Sequence, residues 1–519
     1  MKKFNTTGLC IKNKHYLVDT TNKLKKIFHL IDEEEYFTIN RSRQFGKTTT
    51  LSLLKEFIEK EKEAYLVIKT SFEGLGESAF SSEQNFCNAF IALINRRLEH
   101  EGVDKKIIRQ WNENIEDLDS LDKLSEKITK LVENVDKDVV LMIDEVDKAS
   151  NNRLFLHFLG MLRNMYLERA EGYDKTFKSV ILAGVRDIRN LKSQIRPDEK
   201  TLYNSPWNIA TDFKVDLSFN PQEISTMLVE YEKDHHTGMD ITKISDEIYK
   251  YTNGYPFLVS KVCKIIDEDL DKKWDLEGVE ESVKLLLEDK NTLFDDLIKN
   301  LENNEDMYNL IYRILIDLQK IDFNTDNPII SKGLMYGILT PKDRKVSIAN
   351  KIFEVRIYNY MISKKETSEY NLSSYRYKDN YIVDGDLNLE KVLSKFQELM
   401  YSEYRERDDK FIEREGRLLF LCFLKPIING EGFYYVESET RMDNRMDIVV
   451  TYNKKQYIIE LKIWHGENYE KEALQQLSTY LDTKHEKTGF LVSFSFNKNK
   501  QYTKEWKKHE DKDIFAVVV

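Results

Sequence analysis

Three short apolar runs constrain this chain more than any other feature. Val139-Val140-Leu141-Met142-Ile143 has no polar residue to mark a solvent face. It reads as a buried strand of a parallel sheet. Val180-Ile181-Leu182-Ala183-Gly184-Val185 reads as another strand, and Tyr36-Phe37-Thr38-Ile39-Asn40 as a shorter one. Polar residues follow each: Asp144 and Glu145, then Arg186, and after the shortest run Arg41-Ser42-Arg43-Gln44-Phe45-Gly46-Lys47-Thr48-Thr49-Thr50. An amphipathic helical pattern then begins, with Leu51, Leu53, Leu54 and Phe57 at its apolar positions.

Strand, loop, Gly46-Lys47-Thr48 and helix form a context in which backbone N–H groups and a helix N-terminus hold phosphate oxygens. Arg43, Gln44, Phe45, Gly46, Lys47, Thr48 and Thr49 are the candidate nucleotide-binding residues. Lys47 would reach the β- and γ-phosphates and Thr48 would ligate Mg²⁺. Arg41 stands where the usual pattern has its first glycine. Asp144 would hold Mg²⁺ through its water shell, and Glu145 would orient the attacking water. The plainer alternative is a core strand followed by solvated acids. Arg186 reads equally as a γ-phosphate sensor or as a surface residue at a turn.

A length of 519 residues implies several domains, since single cores rarely grow beyond about 250–300 residues. No apolar run approaches the length of a membrane span, and the first residues carry no apolar core of a signal peptide. Cys10, Cys87, Cys263 and Cys422 lie far apart without paired spacing, which fits reduced thiols in a cytoplasmic protein rather than a zinc site. The net charge of −11 argues against general adhesion to nucleic acid, although the last part of the chain is close to neutral.

A second constellation lies near the C-terminus. Arg445-Met446-Asp447-Ile448-Val449-Val450 and Tyr457-Ile458-Ile459-Glu460-Leu461-Lys462, joined by Asn453-Lys454-Lys455-Gln456, read as a hairpin. Alternation puts Glu460 and Lys462 on one face and Ile459 and Leu461 on the other. A carboxylate and an ammonium opposite another carboxylate suit a metal-dependent phosphodiesterase. A surface salt bridge is the bland alternative, yet an acid inside an apolar run is costly if buried unpaired. The surrounding order is α-β-β-β-α-β: helices at 389–405 and 410–424, a loop over 425–432, strand 433–437, the hairpin, a helix containing Leu474, Leu477 and Leu481, and strand 489–494. His465 reads as a turn residue rather than a base.

Tyr16-Leu17-Val18-Asp19 ahead of a helix, the loop from Asn40 to Thr48, and Leu141-Met142-Ile143-Asp144-Glu145-Val146-Asp147-Lys148 resemble the AAA-ATPase-like family. These bacterial proteins commonly carry a C-terminal PD-(D/E)XK nuclease-like domain. The family loop reads R-x-R-[RQ]-F-G-K-[ST], so Arg41 fits it. Ser205-Pro206-Trp207-Asn208-Ile209 and Asn253-Gly254-Tyr255-Pro256-Phe257-Leu258 also resemble family landmarks, the second in a helical lid at a nucleotide-sensing turn. The resemblance implies an α/β multidomain fold. Its expected parts are a P-loop parallel-sheet ATPase core of the AAA/STAND type (1–219), a helical lid (220–290), a winged helix with connector (291–388), and a restriction-endonuclease-like α/β domain (389–519).

By resemblance Asp447 and Glu460 bind Mg²⁺, Lys462 positions the attacking water, Glu413 completes the metal site, and Gln476 matches a glutamine on the following helix. The expected cofactors are ATP and Mg²⁺. The expected partner of the C-terminal domain is nucleic acid, DNA ahead of RNA, with no membrane; ATPases of this kind often form homo-oligomers. Lys342, Arg344 and Lys345 at the wing are read as solvated charges rather than a DNA contact. The implied protein is an ATPase fused to a nuclease, with a role in defence or mobile-element control from family context alone. The alternatives are a nucleotide-driven switch whose last domain only binds, and a nuclease with a non-hydrolysing nucleotide domain.

Overall fold

In the computed structural model, all residues are described except 150–152, 186–206, 208, 317–318, 369–380, 405–408, 429–431, 438–445, 454, 465–466 and 496–500. Arg186, Ser205, Pro206, Asn208 and His465 therefore lie outside the described residues. The chain divides into two compact units. One comprises Met1–Leu286 with Leu334–Gly337, the other Leu287–Gly333 with Ile338–Val519.

The first unit is built on strands β1 (Phe37–Asn40), β2 (Tyr65–Ser71), β3 (Asp138–Asp144) and β4 (Ser179–Gly184). They form a parallel sheet in the order β1-β4-β3-β2. Thr211 adds a single parallel bridge to Phe37 on the free side of β1. The unbroken apolar runs are explained by burial on both faces. Val139, Leu141 and Ile143 enter one core with Ile68, Leu182 and the aromatic group around Phe86 and Phe158. Val140 and Met142 enter the other with Ile39, Val67, Ile181 and Ala183.

Helices α1 (Thr21–Asp32) and α2 (Lys47–Glu61) supply Ile27, Ile31, Leu51 and Leu54 to the second core. Helices α3 (Glu83–His100), α4 (Lys105–Asn112), α5 (Leu121–Asn134) and α6 (Arg153–Glu171) cover the first core. Trp207 is fully buried against Tyr36, with ring centroids 6.0 Å apart.

Four helices complete the unit: α7 (Pro221–His235), α8 (Ile241–Thr252), α9 (Pro256–Glu268) and α10 (Leu276–Glu288). The start of α7 has the expected proline at its first turn. Asn220 and Glu223 form a reciprocal capping box there, which satisfies backbone donors that the first turn leaves without partners. Lys23 of α1 reaches Glu223 at 2.7 Å, and the Tyr16 hydroxyl reaches Asp234 of α7 at 2.9 Å.

The second unit begins with α11 (Thr292–Glu302), α12 (Glu305–Leu315), α13 (Pro328–Met335), the hairpin β5 (Leu339–Lys342) and β6 (Lys345–Ile348), and α14 (Lys351–Ser368). Asp343 and Arg344 both take positive φ (49° and 61°), the backbone a two-residue hairpin turn requires. Lys345 is ion-paired with Asp322. A small ladder of β7 (Ile382–Val383) and β8 (Asp386–Leu387) precedes α15 (Leu389–Tyr404) and α16 (Asp409–Ile428).

The rest is β9 (Gly432–Glu437), β10 (Met446–Tyr452), β11 (Lys455–Trp464), α17 (Glu467–Lys484), β12 (Thr488–Ser495), β13 (Lys504–His509) and β14 (Lys512–Val518). The sheet order is β13-β14-β12-β11-β10-β9. β9, β10 and β11 are antiparallel neighbours, while β12 runs parallel to both β11 and β14.

Two local expectations change. Residues 425–428 are helical rather than loop: α16 runs through Pro426 to Ile428. Pro426 gives up one helical hydrogen bond, but Ile427 and Ile428 are buried, and their packing outweighs the local loss. The terminal run Ile514-Phe515-Ala516-Val517-Val518 forms β14, a central strand that extends the sheet beyond the expected four.

Candidate functional sites

Because β1 and β3 are parallel, the loop after β1 and the acids ending β3 emerge at the same edge of the sheet, where ligands bind in open α/β folds. Gln44 and Gly46 take positive φ (57° and 77°), which curls the loop back before α2 begins at Lys47. Such a turn exposes successive N–H groups to a phosphate.

The Lys47 ammonium is almost fully buried and donates to the carbonyls of Arg41 and Ser42, each at 3.0 Å. Burial lowers its affinity for the proton, opposed by Glu145, Asp147 and Asp144. Thr48 Oγ1 donates to Asp144 Oδ2 at 2.6 Å, which joins the loop helix to the end of β3. The other Asp144 oxygen accepts the Glu145 amide at 3.0 Å, and Glu145 adopts a positive φ of 54°. Burial raises the pKa of the Glu145 carboxyl; Lys47 opposes this, while Asp144, Glu73 and Asp147 reinforce it.

Arg41, which stands where the usual pattern has its first glycine, is tied to the sheet edge. Its amide donates to Gly184 of β4 at 3.1 Å. Its guanidinium donates to the carbonyls of Asn40 (2.8 Å) and Val215 (2.9 Å) and lies over Phe213 at 5.6 Å. The side chain thus runs along the sheet edge to the 213–215 segment. Gly184 is required for a different reason: a Cβ there would meet Asp147 Oδ2 at 2.9 Å, and the same carboxylate accepts the Val185 amide.

The turn before α9 packs on the loop. The Tyr255 hydroxyl donates to the Arg43 carbonyl at 2.6 Å and lies 3.1 Å from Ser42 Oγ, and its ring meets Phe45 edge-on at 4.8 Å. Gly254 has φ 70°, and its carbonyl accepts the Phe219 amide at 2.8 Å; a Cβ at this position would fall 1.8 Å from the Phe219 oxygen.

A cavity of about 550 Å³ opens over Gly46, Lys47, Thr48 and Glu145. Its apolar lining includes Leu17, Val18, Leu217, Phe219, Met227 and Phe257. The segment 5–10 also lines it, and the Cys10 amide donates to Thr49 Oγ1 at 3.2 Å. The structure thus brings Arg43, Gln44, Phe45, Gly46, Lys47, Thr48, Thr49 and Glu145 to one cavity, with Asp144 bonded to Thr48 at its floor. Sequence reasoning missed Glu73, which also lines the cavity, and Leu217, Phe219 and Met227. Glu73 follows the apolar run Tyr65-Leu66-Val67-Ile68, a strand signal that could have pointed to it.

In the second unit, Asp447 and Glu460 are direct register partners across β10 and β11. Glu460 is 1% exposed and Lys462 7%, both on the same face of β11. Gln476 lies on α17, which packs on β11, and its Oε1 is buried with no hydrogen-bond partner among the described residues. Glu413 lies on α16. The side chains of Glu413 and Asp447 lie outside the described part, and among the described residues no three acid, His or Cys side chains form a metal-binding group.

In comparison with known proteins, the family described as "AAA-like domain" matches residues 12–358, more than half the chain. The uncharacterized WD repeat-containing protein slr0143 of Synechocystis is 25% identical over 271 residues, which is 51% of this chain and 21% of that protein. This chain therefore spans about a fifth of the length of the curated relative it matches. Among solved structures, the Walker-type ATPase PABY2304 of Pyrococcus abyssi is 12% identical with a TM-score of 0.47, covering 68% of this chain and 99% of that one. The ORC2 protein of Aeropyrum pernix is 14% identical with a TM-score of 0.34, covering 66% and 93%. No described helix is long and apolar enough to cross a membrane.

Proposed function

The chain belongs to the AAA-like domain family, and from that premise we propose that its first unit binds ATP with Mg²⁺ and hydrolyses the γ-phosphate. The observation that carries this is the Thr48–Asp144 hydrogen bond, beside the buried Lys47 in a cavity that also has an apolar lining. Two oxygen ligands already held together at a helix N-terminus suit a hard divalent cation, and oxygen donors are what Mg²⁺ prefers. Thr48 and Asp144 would hold Mg²⁺, which when bound offsets charge on the β- and γ-phosphates.

The remaining work falls to the chain itself. Amides of the Gln44–Thr48 turn hold phosphate oxygens. Lys47 exchanges the Arg41 and Ser42 carbonyls for phosphate oxygens, a favourable trade for a buried cation. Glu145 accepts a hydrogen bond from the attacking water and fixes its direction. The apolar lining takes the flat base. Tyr255, bonded to the Arg43 carbonyl, is placed to report phosphate occupancy to α9. The test is ATP turnover. Glu145→Gln should lower kcat by about 10²-fold or more while retaining nucleotide, and loss of binding in that variant would contradict the assignment.

For the second unit we propose a Mg²⁺-dependent nuclease site of the PD-(D/E)XK kind acting on nucleic acid, formed by Asp447, Glu460, Lys462 and Gln476, with Glu413 as a further metal ligand. Its support is the burial of Glu460 directly across from Asp447, with Lys462 on the same face. The order α16-β9-β10-β11-α17-β12, antiparallel through β11 and then parallel, agrees with that reading. Cleavage of single- and double-stranded DNA and of RNA with Mn²⁺ tests it, with Glu460→Ala as the control. Uncut substrate in every case, while DNA is still bound, would favour the alternative of a non-catalytic binding module.

A further inference from the structure

The ATPase reading assigns one carboxylate, Glu145, to the attacking water. We propose that Glu73 is a second water-positioning carboxylate at the γ-phosphate end of the same cavity; the proposal rests on the hydrolysis reading.

The placement of Glu73 follows from the sheet. β2 and β3 run in parallel register to Ser71 opposite Asp144. The ladder continues one step further, because the Phe72 amide donates to the Asp144 carbonyl at 3.0 Å. Glu73 is therefore the next residue after the chain has been tied to the Asp144–Glu145 step. Phe72 fixes this point from below: it is fully buried, with its ring 6.1 Å from that of Phe155 and 6.2 Å from that of Phe86. Above it, the Glu73 amide donates to Ser71 Oγ at 3.1 Å, and the Leu75 amide to the Phe72 carbonyl at 3.1 Å, closing a tight turn.

Glu73 lines the nucleotide cavity together with Gly46, Lys47, Thr48 and Glu145. It also lines an adjoining cavity of about 570 Å³ that shares Thr48 and Glu145 with the first. Glu73 therefore lines both spaces, together with Thr48 of the phosphate loop and Glu145. Collecting another carboxylate beside Asp144, Glu145 and Asp147 adds like-charge repulsion and weakens the hold on a polyanion.

A water molecule has two hydrogens, and two acceptors fix its lone pair where one acceptor leaves it free to rotate. With Glu145 and Glu73 each accepting one hydrogen, the oxygen faces γ-phosphorus. In the reaction the water oxygen bonds to γ-phosphorus, and the bond to the β–γ bridging oxygen breaks with its electron pair leaving on ADP. One water proton stays on the product phosphate and the other passes by way of a carboxylate to solvent.

The test uses the full chain and measures Mg·ATP affinity and turnover separately in wild type, Glu73→Ala and Glu73→Gln. Glu73→Ala should lower kcat by roughly 30-fold or more, within the usual range for removing such a group. Its Kd for Mg·ATP should be unchanged or tighter, because a negative charge has gone. Glu73→Gln, which keeps one acceptor oxygen, should fall between. If wild type turns over and Glu73→Ala keeps kcat within about threefold, Glu73 has no such role while the ATPase reading stands. If kcat and affinity fall together by more than about tenfold, the role is structural and the proposal fails. If wild type binds Mg·ATP without turnover, the hydrolysis reading itself fails and takes the proposal with it.

Discussion

Arg41 separates two accounts of the phosphate loop, and replacing it by alanine tests them. If the arginine in place of the first glycine were a phosphate ligand, its loss would weaken nucleotide binding. The structure gives it another task. Two charge-assisted hydrogen bonds, to Asn40 O at 2.8 Å and Val215 O at 2.9 Å, and the Phe213 ring hold it along the sheet edge. Hydrogen bonds to charged groups contribute about 1.5–3 kcal/mol each. Arg41 is only partly buried, so water replaces part of what is lost and the lower end applies. Adding a partly exposed cation–π contact of about 0.5 kcal/mol gives a cost of roughly 3–4 kcal/mol for Arg41→Ala.

For a unit of this size that corresponds to a midpoint lowered by about 5–10 °C. Thermal melts followed by tryptophan fluorescence, beside equilibrium binding of a fluorescent ATP analogue, measure both quantities. The expected result is the lower midpoint with Kd changed by less than about threefold at a temperature where the variant is folded. A Kd weakened more than about tenfold with unchanged stability would refute the structural role and make Arg41 a phosphate ligand.

Two further outcomes follow from the same geometry. Gly254→Ala must accommodate a Cβ 1.8 Å from the Phe219 oxygen at φ 70°. It should cost about 2–4 kcal/mol in urea unfolding and increase proteolysis of residues 220–286; a loss under about 1 kcal/mol would contradict the packing described. Glu460→Gln removes a buried carboxylate placed across from Asp447 in the strand register, so it should abolish stabilisation of the chain by Mn²⁺ in thermal melts, and a Mn²⁺ effect equal to wild type would contradict the metal-site reading. A loss of about 3–5 kcal/mol with no Mn²⁺ effect in wild type would instead identify a buried salt bridge with Lys462.

The site in the first unit was legible where chemistry and pattern coincide. A Gly-Lys-Thr at a strand-to-helix step and an apolar run ending in Asp-Glu are local signals, and Lys47, Thr48, Asp144 and Glu145 meet because both strands are parallel. Glu73 and the apolar lining residues Leu217, Phe219 and Met227 were not legible, because they come from segments far apart in the sequence. The role of Arg41 depended on Val215, 174 residues away, which no local pattern encodes. In the second unit the hairpin register was readable from alternation, and Glu460 and Lys462 share a face as expected. Pro426 misled because a proline signal was overridden by the burial of Ile427 and Ile428. β14 escaped attention although its run of apolar residues was plain, since its pairing with β12 crosses the β13 excursion.

The most direct test of the central claim is calorimetric titration of ATP into the full chain, with and without Mg²⁺, for wild type and Lys47→Ala. Lys47 is buried and donates to two loop carbonyls that phosphate oxygens would replace in the complex. The account predicts one site per chain in wild type that depends on Mg²⁺, and affinity weakened at least about 100-fold, or about 2.7 kcal/mol, in Lys47→Ala. Equal affinity in the two proteins, or no ATP binding by a folded wild type, would contradict it.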